Sequence, residues 1–256
     1  MRSNSSNRLG APCRMVKIML VVCVLFSGGR AIAQDMPEAR NVRDQAEFSA
    51  VNTTGNTDVS TLSFKNNFEY DFSDTYTGTW NLAALYGEQD DEKNAERYSS
   101  DLRLDCHVTV RTYLYLLGGW LRDEFAGFEN RYHVGPGIGR KFIDSPAHSL
   151  RAEIGTNWAR EDYVVQDTED FLEGRGFGHY AYAIAEGNKF TQSIEYLHDF
   201  KDNDNFKILT VTAVTSALTK VLAIKIAYEV RYQNRPVPDD LKKTDTIFSA
   251  SLVVSY

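Results

Sequence analysis

Hydrophobic and polar residues alternate along most of the chain after residue 45. Between Leu62 and Phe72, aromatic and aliphatic residues take most even positions, while polar or charged residues such as Lys65 and Glu69 take the odd ones. A helix would spread the apolar side chains around its circumference, whereas a strand places them on one face. The alternation therefore predicts strands, about twelve of them over residues 46–256, and no amphipathic helix longer than a turn or two.

The predicted connections alternate between short turns and longer polar links. Tight turns follow some strands, as at residues 73–75, and the longer links lie near residues 88–96, 123–129, 161–175, 200–205 and 234–244. A soluble sandwich has no reason to alternate its loop lengths, but an outer-membrane barrel has short periplasmic turns and longer external loops. We therefore predict an all-β fold, a single antiparallel transmembrane β-barrel, with a secreted sandwich or lipocalin-like barrel as the alternative.

The first 33 residues have the composition of a secretory signal peptide. They contain basic residues, no acidic residue, an apolar run from Ile18 to Phe26, and the small residues Ala31 and Ala33 before the predicted cleavage point. We predict a cleaved signal at residues 1–33, a short periplasmic segment at 34–45 and the barrel at 46–256. The true start, Met1 or Met15, stays open. This order predicts secretion to the periplasm and then a location in the outer membrane of a Gram-negative bacterium.

The last strand ends the chain on an aromatic residue. Its apolar face carries Phe248, Leu252, Val254 and Tyr256. This ending resembles the C-terminal signal by which barrel proteins are recognised for insertion. It predicts the barrel-assembly machinery as a partner during biogenesis, and outer-membrane lipids and lipopolysaccharide as the surroundings of the mature protein.

The charge balance argues against a nucleic-acid partner. The chain has 28 Lys and Arg against 35 Asp and Glu, a net charge of −7, whereas phosphate binding needs an excess of cations. Removal of residues 1–33 leaves −12, and the external loops, counted over residues 87–96, 123–129, 161–176, 199–205 and 233–244, sum to −13. We therefore predict an acidic external crown that could attract divalent cations bridging it to lipopolysaccharide.

The polar face of the predicted strands is densely charged. One interpretation is a lumen filled by opposite charges paired across strands, and the other is a narrow water-filled pore whose lining selects small solutes or cations. The predicted inward-facing residues are Lys65, Glu69, Arg97, Asp101, Arg103, Asp105, His107, Arg131, His133, Arg151, Glu153, Glu195, Lys225, Glu229 and Arg231.

Three short motifs resemble a known family. They are Gly55-Asn56-Thr57-Asp58, Gly135-Pro136-Gly137-Ile138-Gly139-Arg140 and Leu150-Arg151-Ala152-Glu153-Ile154-Gly155. In this order they are similar to the salt-induced outer membrane protein family, also known as domain-of-unknown-function family 481. The resemblance implies a monomeric outer-membrane barrel without an established activity and supplies no catalytic residues. Glycines 135, 137 and 139 share one predicted inward face, where missing side chains would admit a bulky neighbour, a plug or a bend.

Enzymatic chemistry has little support in the sequence. Asp105 and His107 share the inward face, as an acid/base pair would, while His179, His198 and Asp199 share no recognisable spacing. No Cys/His spacing matches a metal site, and Cys106 is predicted to face lipid. We therefore predict no metal, no cofactor and no catalytic site. The predicted function is a structural or permeability role at the envelope linked to salt or osmotic conditions, with a narrow pore and an outer-membrane hydrolase as alternatives.

Overall fold

The computed structural model describes residues 41–53, 59–90 and 92–256. The predicted signal peptide, with Ala31 and Ala33, lies outside the described residues. So do residues 54–58, which include the first family motif. Asn41–Tyr256 forms one structural unit.

Twelve strands make up almost all of the described chain. Their lengths range from 12 to 17 residues. The strands are β1 Val42–Thr53, β2 Val59–Asp71, β3 Tyr76–Gln89, β4 Glu92–His107, β5 Thr112–Asp123, β6 Phe128–Asp144, β7 His148–Tyr163, β8 Glu169–Ala185, β9 Asn188–Asp199, β10 Phe206–Ala217, β11 Leu222–Gln233 and β12 Thr244–Ser255.

The strands form one closed antiparallel barrel, which confirms the predicted fold class. Each strand pairs with the next along the chain, and β1 pairs with β12 to close the ring. At this closure the main chains of Asp44 and Tyr256 exchange hydrogen bonds of 2.9 and 3.3 Å. Closure leaves no unpaired sheet edge, which is the condition for a sheet to cross a lipid bilayer. β1 begins at Val42, so the barrel takes in four residues that the sequence assigned to the preceding segment.

The two ends of the barrel differ in their connections. At the end that carries Val42 and Ser255, here called the terminal end, the turns between strands are two to four residues long. At the other end, here called the loop end, the longest connection is residues 234–243. One short 3-10 helix, Glu124–Ala126, precedes Gly127 at the loop end. Within the described residues, no helix is long and apolar enough to cross a membrane.

Several predicted external loops are strand instead, and these boundaries were wrong. Residues 88–96 form the tip of a hairpin in which Glu88 pairs with Lys93. β7 continues to Tyr163 and β8 begins at Glu169, so most of the segment 161–175 belongs to the barrel wall. The strands themselves were predicted, but their loop ends were placed too early because charged residues occupy the inward positions there, where a sequence window finds no apolar alternation.

Most exposed apolar side chains lie on the outer face of the barrel. Ile154 is more than half exposed, although it lies in the middle of β7. Tyr70 and Tyr76 are exposed toward the terminal end, and Tyr132 and Trp158 toward the loop end. A soluble barrel would bury such side chains, whereas a membrane barrel presents an aliphatic band flanked by aromatic residues to lipid.

Candidate functional site

The barrel interior holds most of the buried charge of the described chain and is the candidate functional site. At its centre Glu153 of β7 accepts hydrogen bonds from Arg103 at 2.9 Å and from Arg175 at 2.8 Å. Arg103 also binds Asp105 at 2.7 Å, and Arg175 binds Glu195 at 2.6 Å. These five residues, together with Tyr113 and Tyr115, are called the Glu153 network. It connects β4, β5, β7, β8 and β9.

The glycines of β6 make room for the tyrosines of this network. A side chain at Gly137 would overlap the Tyr115 ring, and one at Gly139 would overlap the Tyr113 ring. Tyr113 donates a hydrogen bond of 2.7 Å to Glu153, and the Arg103 guanidinium lies 4.4 Å from the centre of the Tyr115 ring. Of the three roles predicted for the glycine series, the structure therefore shows the admission of bulky neighbours.

A second cluster, the Arg131 network, lies closer to the loop end. The Nη2 of Arg131 of β6 donates to both carboxylate oxygens of Glu173, at 2.7 and 2.9 Å, and Arg131 also contacts Glu161. Lys207 of β10 contacts Glu161, and Asn157 donates a hydrogen bond of 3.0 Å to Glu173. Both carboxylates are almost fully buried. Such groups are tolerated only when charges and hydrogen bonds compensate them, as they do here.

A third cluster, the Arg97 network, joins distant walls of the barrel. Arg97 of β4 binds Asp123 of β5 at 2.8 Å, and Arg231 of β11 approaches the same carboxylate at 3.8 Å. Arg231 also binds Glu229 at 2.6 Å, and Glu229 lies 3.4 Å from Lys65 of β2. β5 and β11 stand six positions apart in the ring of twelve strands, so this contact connects opposite walls.

The other predicted lumen charges have smaller sets of partners. Glu69 shares Arg43 with Asp71, and Lys225 binds Glu47 at 2.6 Å. Asp101 lies 3.5 Å from His133. Arg151 lies over the Phe177 ring, with its guanidinium carbon 5.7 Å from the ring centre. Neither Arg151 nor Lys141, its cross-strand partner, forms an ion pair with another described residue.

Two cavities occupy the lumen, one toward each end. The loop-end cavity has a volume of about 550 Å³ and is lined by Arg97, Arg231 and residues of the segment 234–243. The terminal-end cavity, of about 620 Å³, is lined by Arg43, Asp105 and Lys141 among others. Neither cavity is fully enclosed. Five residues line both cavities and are called the shared belt: Asp101, Leu117, His133, Arg175 and Glu195.

The segment 234–243 lies across the mouth at the loop end. It leaves β11, yet the main chain of Val237 lies against Gly127, which follows β5 on the opposite side of the ring. Gly127 has φ = +88°, and a side chain there would overlap the Val237 carbonyl oxygen. Glycine is suited to this position because it adopts positive φ and allows another main chain to approach closely. The loop-end cavity is therefore partly covered.

The candidate hydrolytic residues do not form a catalytic pair. Asp105 is engaged by Arg103, while His107 Nε2 lies 3.2 Å from the Thr77 hydroxyl. His198 stacks with Tyr196, whereas Asp199 is buried and accepts a hydrogen bond from Asn205. Cys106 lies in register with Tyr76 and Leu114, both exposed on the outer face. No three His, Cys, Asp or Glu side chains in the described ranges are arranged to hold a metal ion.

Sequence reasoning missed several of the most buried charged residues. Glu161, Glu173 and Arg175 fall in the segment predicted as a loop, and Lys207 was not included in the predicted lumen. Asp123 and Asp199 were assigned to the acidic crown, as were Glu161 and Glu173, but all four are buried. The predicted crown is therefore less acidic than the loop assignments indicated. Glu161, Glu173 and Arg175 stand at odd-numbered positions, as the inward-facing residues of the same strands do. This shared parity was the signal available in the sequence.

The fold and its lumen define a class: a closed β-barrel with an apolar outer face and a charge-lined interior, as in outer-membrane proteins. The model of the DUF481 family, described as a protein of unknown function, matches residues 46–256. The chain belongs to this family, which confirms the resemblance seen in the sequence; a link to salt induction does not follow from it.

Known proteins resemble this chain in sequence or in fold. The chain is 26% identical over 199 residues to the uncharacterized protein YdiY of Escherichia coli K12, covering 78% of this chain and 77% of that protein. Its fold is similar to the COG4313 outer membrane channel from Pseudomonas putida F1, with a TM-score of 0.53, 7% identity and coverage of 87% and 100% of the two chains. It is also similar to the translocator domain of the autotransporter NalP from Neisseria meningitidis, with a TM-score of 0.51, 10% identity and coverage of 94% and 95%.

Proposed function

We propose that this protein is an outer-membrane barrel with a permeability role, a narrow passage for small polar solutes. The observation that carries the proposal is the pair of cavities, one toward each end of the lumen, that share a belt of lining residues. A lumen packed as tightly as a protein core would leave no such space. A passage requires polar groups along its wall, and four of the five belt residues are polar or charged.

The proposed location in the outer membrane is supported by the outer face of the barrel. Its exposed side chains are aliphatic in the middle and include aromatic residues toward both ends. Fractionation of the cell envelope tests this placement. We expect the full chain in the outer-membrane fraction and soluble only with detergent; a monomer that is soluble without detergent after expression without residues 1–33 would contradict it.

The passage is narrow because the lumen carries ion pairs that reach across it. The contact between Arg231 and Asp123 connects opposite walls, and the segment 234–243 covers part of the loop-end mouth. These features also support a second candidate, a barrel closed by its charge network with a structural role in the envelope. No hydrolytic step is proposed, because Asp105 and His107 bind different partners.

Conductance across planar bilayers separates the passage from the closed barrel. Purified protein is first shown to be folded by its heat-dependent mobility in gels, and then inserted into bilayers. We expect stepwise currents for the wild type. Folded and inserted protein without currents would overturn the passage and favour the closed barrel.

A pair of variants on β5 locates the conducting path. Leu117 belongs to the shared belt, whereas its neighbour Leu116 is half exposed on the outer face. We expect Leu117→Trp to lower the single-channel conductance by about half or more, because the larger side chain narrows the belt. Leu116→Trp is the matched control and should leave the conductance unchanged. Equal currents in both variants would contradict a path through the belt.

A link to salt or osmotic conditions is a separate part of the proposal. It rests on the family resemblance, and on a lumen held together by charge pairs. Growth of a deletion strain across salt and osmolyte concentrations tests it, with complementation by the intact chain as the control. Growth equal to that of the parent strain under every condition would remove this part of the proposal.

A further inference from the structure

A row of basic side chains crosses three neighbouring strands inside the terminal half of the barrel. Lys141 of β6 is the cross-strand partner of Arg151 of β7, and Arg151 is the partner of His179 of β8. All three occupy odd-numbered positions of their strands, the same inward face as the buried Arg131, Glu153 and Arg175. Lys141 and Arg151 line the terminal-end cavity.

This row lacks the compensation that the other buried cations have. Arg103, Arg131 and Arg175 each contact two carboxylates. For Lys141 and Arg151 the described part of the chain supplies no carboxylate partner, and the Nε of Arg151 is buried without a hydrogen-bond acceptor. Like charges directly opposite one another destabilise a sheet, and a buried donor without an acceptor costs about 1–3 kcal/mol. The row therefore carries a cost that no ion pair within the described residues offsets.

Carboxylates beside the row and on the wall of its cavity are engaged by other cations. Glu153, two residues from Arg151 on β7, binds Arg103 and Arg175 and accepts a hydrogen bond from Tyr113. Glu195 is taken by Arg175. On the opposite side of the cavity, Glu69 and Asp71 share Arg43. The positive charge of the row is thus directed into the open space of the cavity.

The chemistry of the row suits an oxyanion. Side chains directly opposite each other in an antiparallel pair have Cβ atoms about 4.5–5.5 Å apart, so two cations can reach one ligand group. The planar guanidinium of arginine matches the two oxygens of a carboxylate or phosphate, and lysine adds a point charge. Phe177 lies under Arg151 and limits the positions that its guanidinium can take. The cavity of about 620 Å³ has room for a small solute.

We propose that Lys141 and Arg151, with His179 beside them, form a binding site for small oxyanions on the inner wall of the terminal-end cavity. The ligand is a small solute that carries a carboxylate or a phosphate group. This inference deepens the proposed function, since it names the solute class that the passage would favour, but binding at the site does not itself require conduction.

Calorimetric titration of the detergent-solubilised barrel tests the site directly. The probes are succinate, inorganic phosphate and neutral succinamide, each at low salt. We expect saturable binding of succinate or of phosphate, and no binding of succinamide. Which of the two anions binds shows whether the site prefers a carboxylate or a phosphate group. The double variant Lys141→Gln, Arg151→Gln should weaken binding at least tenfold, whereas Arg140→Gln, on the outer face of the same strand, should bind as the wild type does. No binding of either anion, or undiminished binding by the double variant, would overturn the proposal.

Reversal potentials across a potassium chloride gradient give a second measurement. The double variant should shift the preference of the channel from anions toward cations, and Arg140→Gln should not. If the wild type conducts and the double variant binds anions as tightly as the wild type does, the binding site is refuted and the passage is not. A wild type that binds oxyanions but carries no current overturns the passage alone. If the double variant fails to fold, Arg151→Ala with Lys141 retained replaces it, and binding equal to that of the wild type again refutes the site.

Discussion

Replacing Arg131 by methionine tests whether the buried carboxylates of the lumen depend on their arginine. The Arg131 side chain is 6% exposed and contacts Glu161 and Glu173, whose side chains are 0% and 2% exposed. After the substitution Glu173 retains Asn157 as its hydrogen-bond donor, and Glu161 retains Lys207 and Tyr163. Removing one partner of a buried ion pair costs about 3–5 kcal/mol. The folding equilibrium constant should fall by roughly two to four orders of magnitude.

Urea unfolding in phospholipid vesicles measures this loss. Tryptophan fluorescence reports the transition, because Trp80 and Trp158 are exposed on the outer face and leave the lipid when the barrel unfolds. The free energy of unfolding is compared between wild type and Arg131→Met, with vesicle composition and ionic strength held constant. The slope against urea should stay the same, so that the change appears as a lower transition midpoint.

Arg160→Met is the matched control for this experiment. Arg160 lies on β7 beside Glu161, but its side chain is 45% exposed and its carboxylate partners lie at 3.4 and 3.8 Å. Exposed pairs of this kind contribute about 0–1 kcal/mol. If Arg131→Met destabilised the barrel no more than Arg160→Met, the reasoning about buried pairs in this lumen would be refuted.

Two further predictions concern glycines. Gly137→Ala should destabilise the barrel by about 1–3 kcal/mol in the same urea assay, because the new side chain overlaps the Tyr115 ring. Gly176→Ala is the control, since no atom lies within 4 Å of the added carbon, and equal stability of the two variants would contradict the packing argument. Gly127→Val should displace the segment 234–243 and speed its cleavage by trypsin, because the side chain overlaps Val237 and φ is positive. Cleavage at the wild-type rate would show that the contact does not hold the loop.

The period-two alternation was sufficient for the fold class. Each pair of neighbours in β2, such as Phe68 and Glu69, must face opposite sides of a sheet, whatever the rest of the chain does. The apolar side chains of these pairs are too numerous to be exposed to water together on one face of a sheet. The same alternation is sufficient to place Lys65, Arg103 and Glu229 on the polar, inward face of their strands.

The alternation was insufficient to predict the ends of strands that continue, with charged residues, beyond the apolar band. Glu161 and Glu173 occupy inward positions at the loop ends of β7 and β8, in a stretch that contains acidic residues on both faces. A window of sequence cannot distinguish such a stretch from an exposed acidic loop, because the partner Arg131 lies about 30 to 40 residues away in the chain. Pairing with β6 brings the arginine to the carboxylates and turns the apparent loop into barrel wall.

The sequence by itself determined that this chain forms strands with an apolar face and a charged face, because side-chain direction in a strand is a local property. Only the tertiary structure decided which charges meet. Glu153 binds arginines that lie 50 residues before it and 22 residues after it, and Lys141 faces Arg151 without a carboxylate. These relations depend on ring closure and strand register. Both are set by contacts throughout the barrel, so they cannot be inferred from any single segment of the sequence.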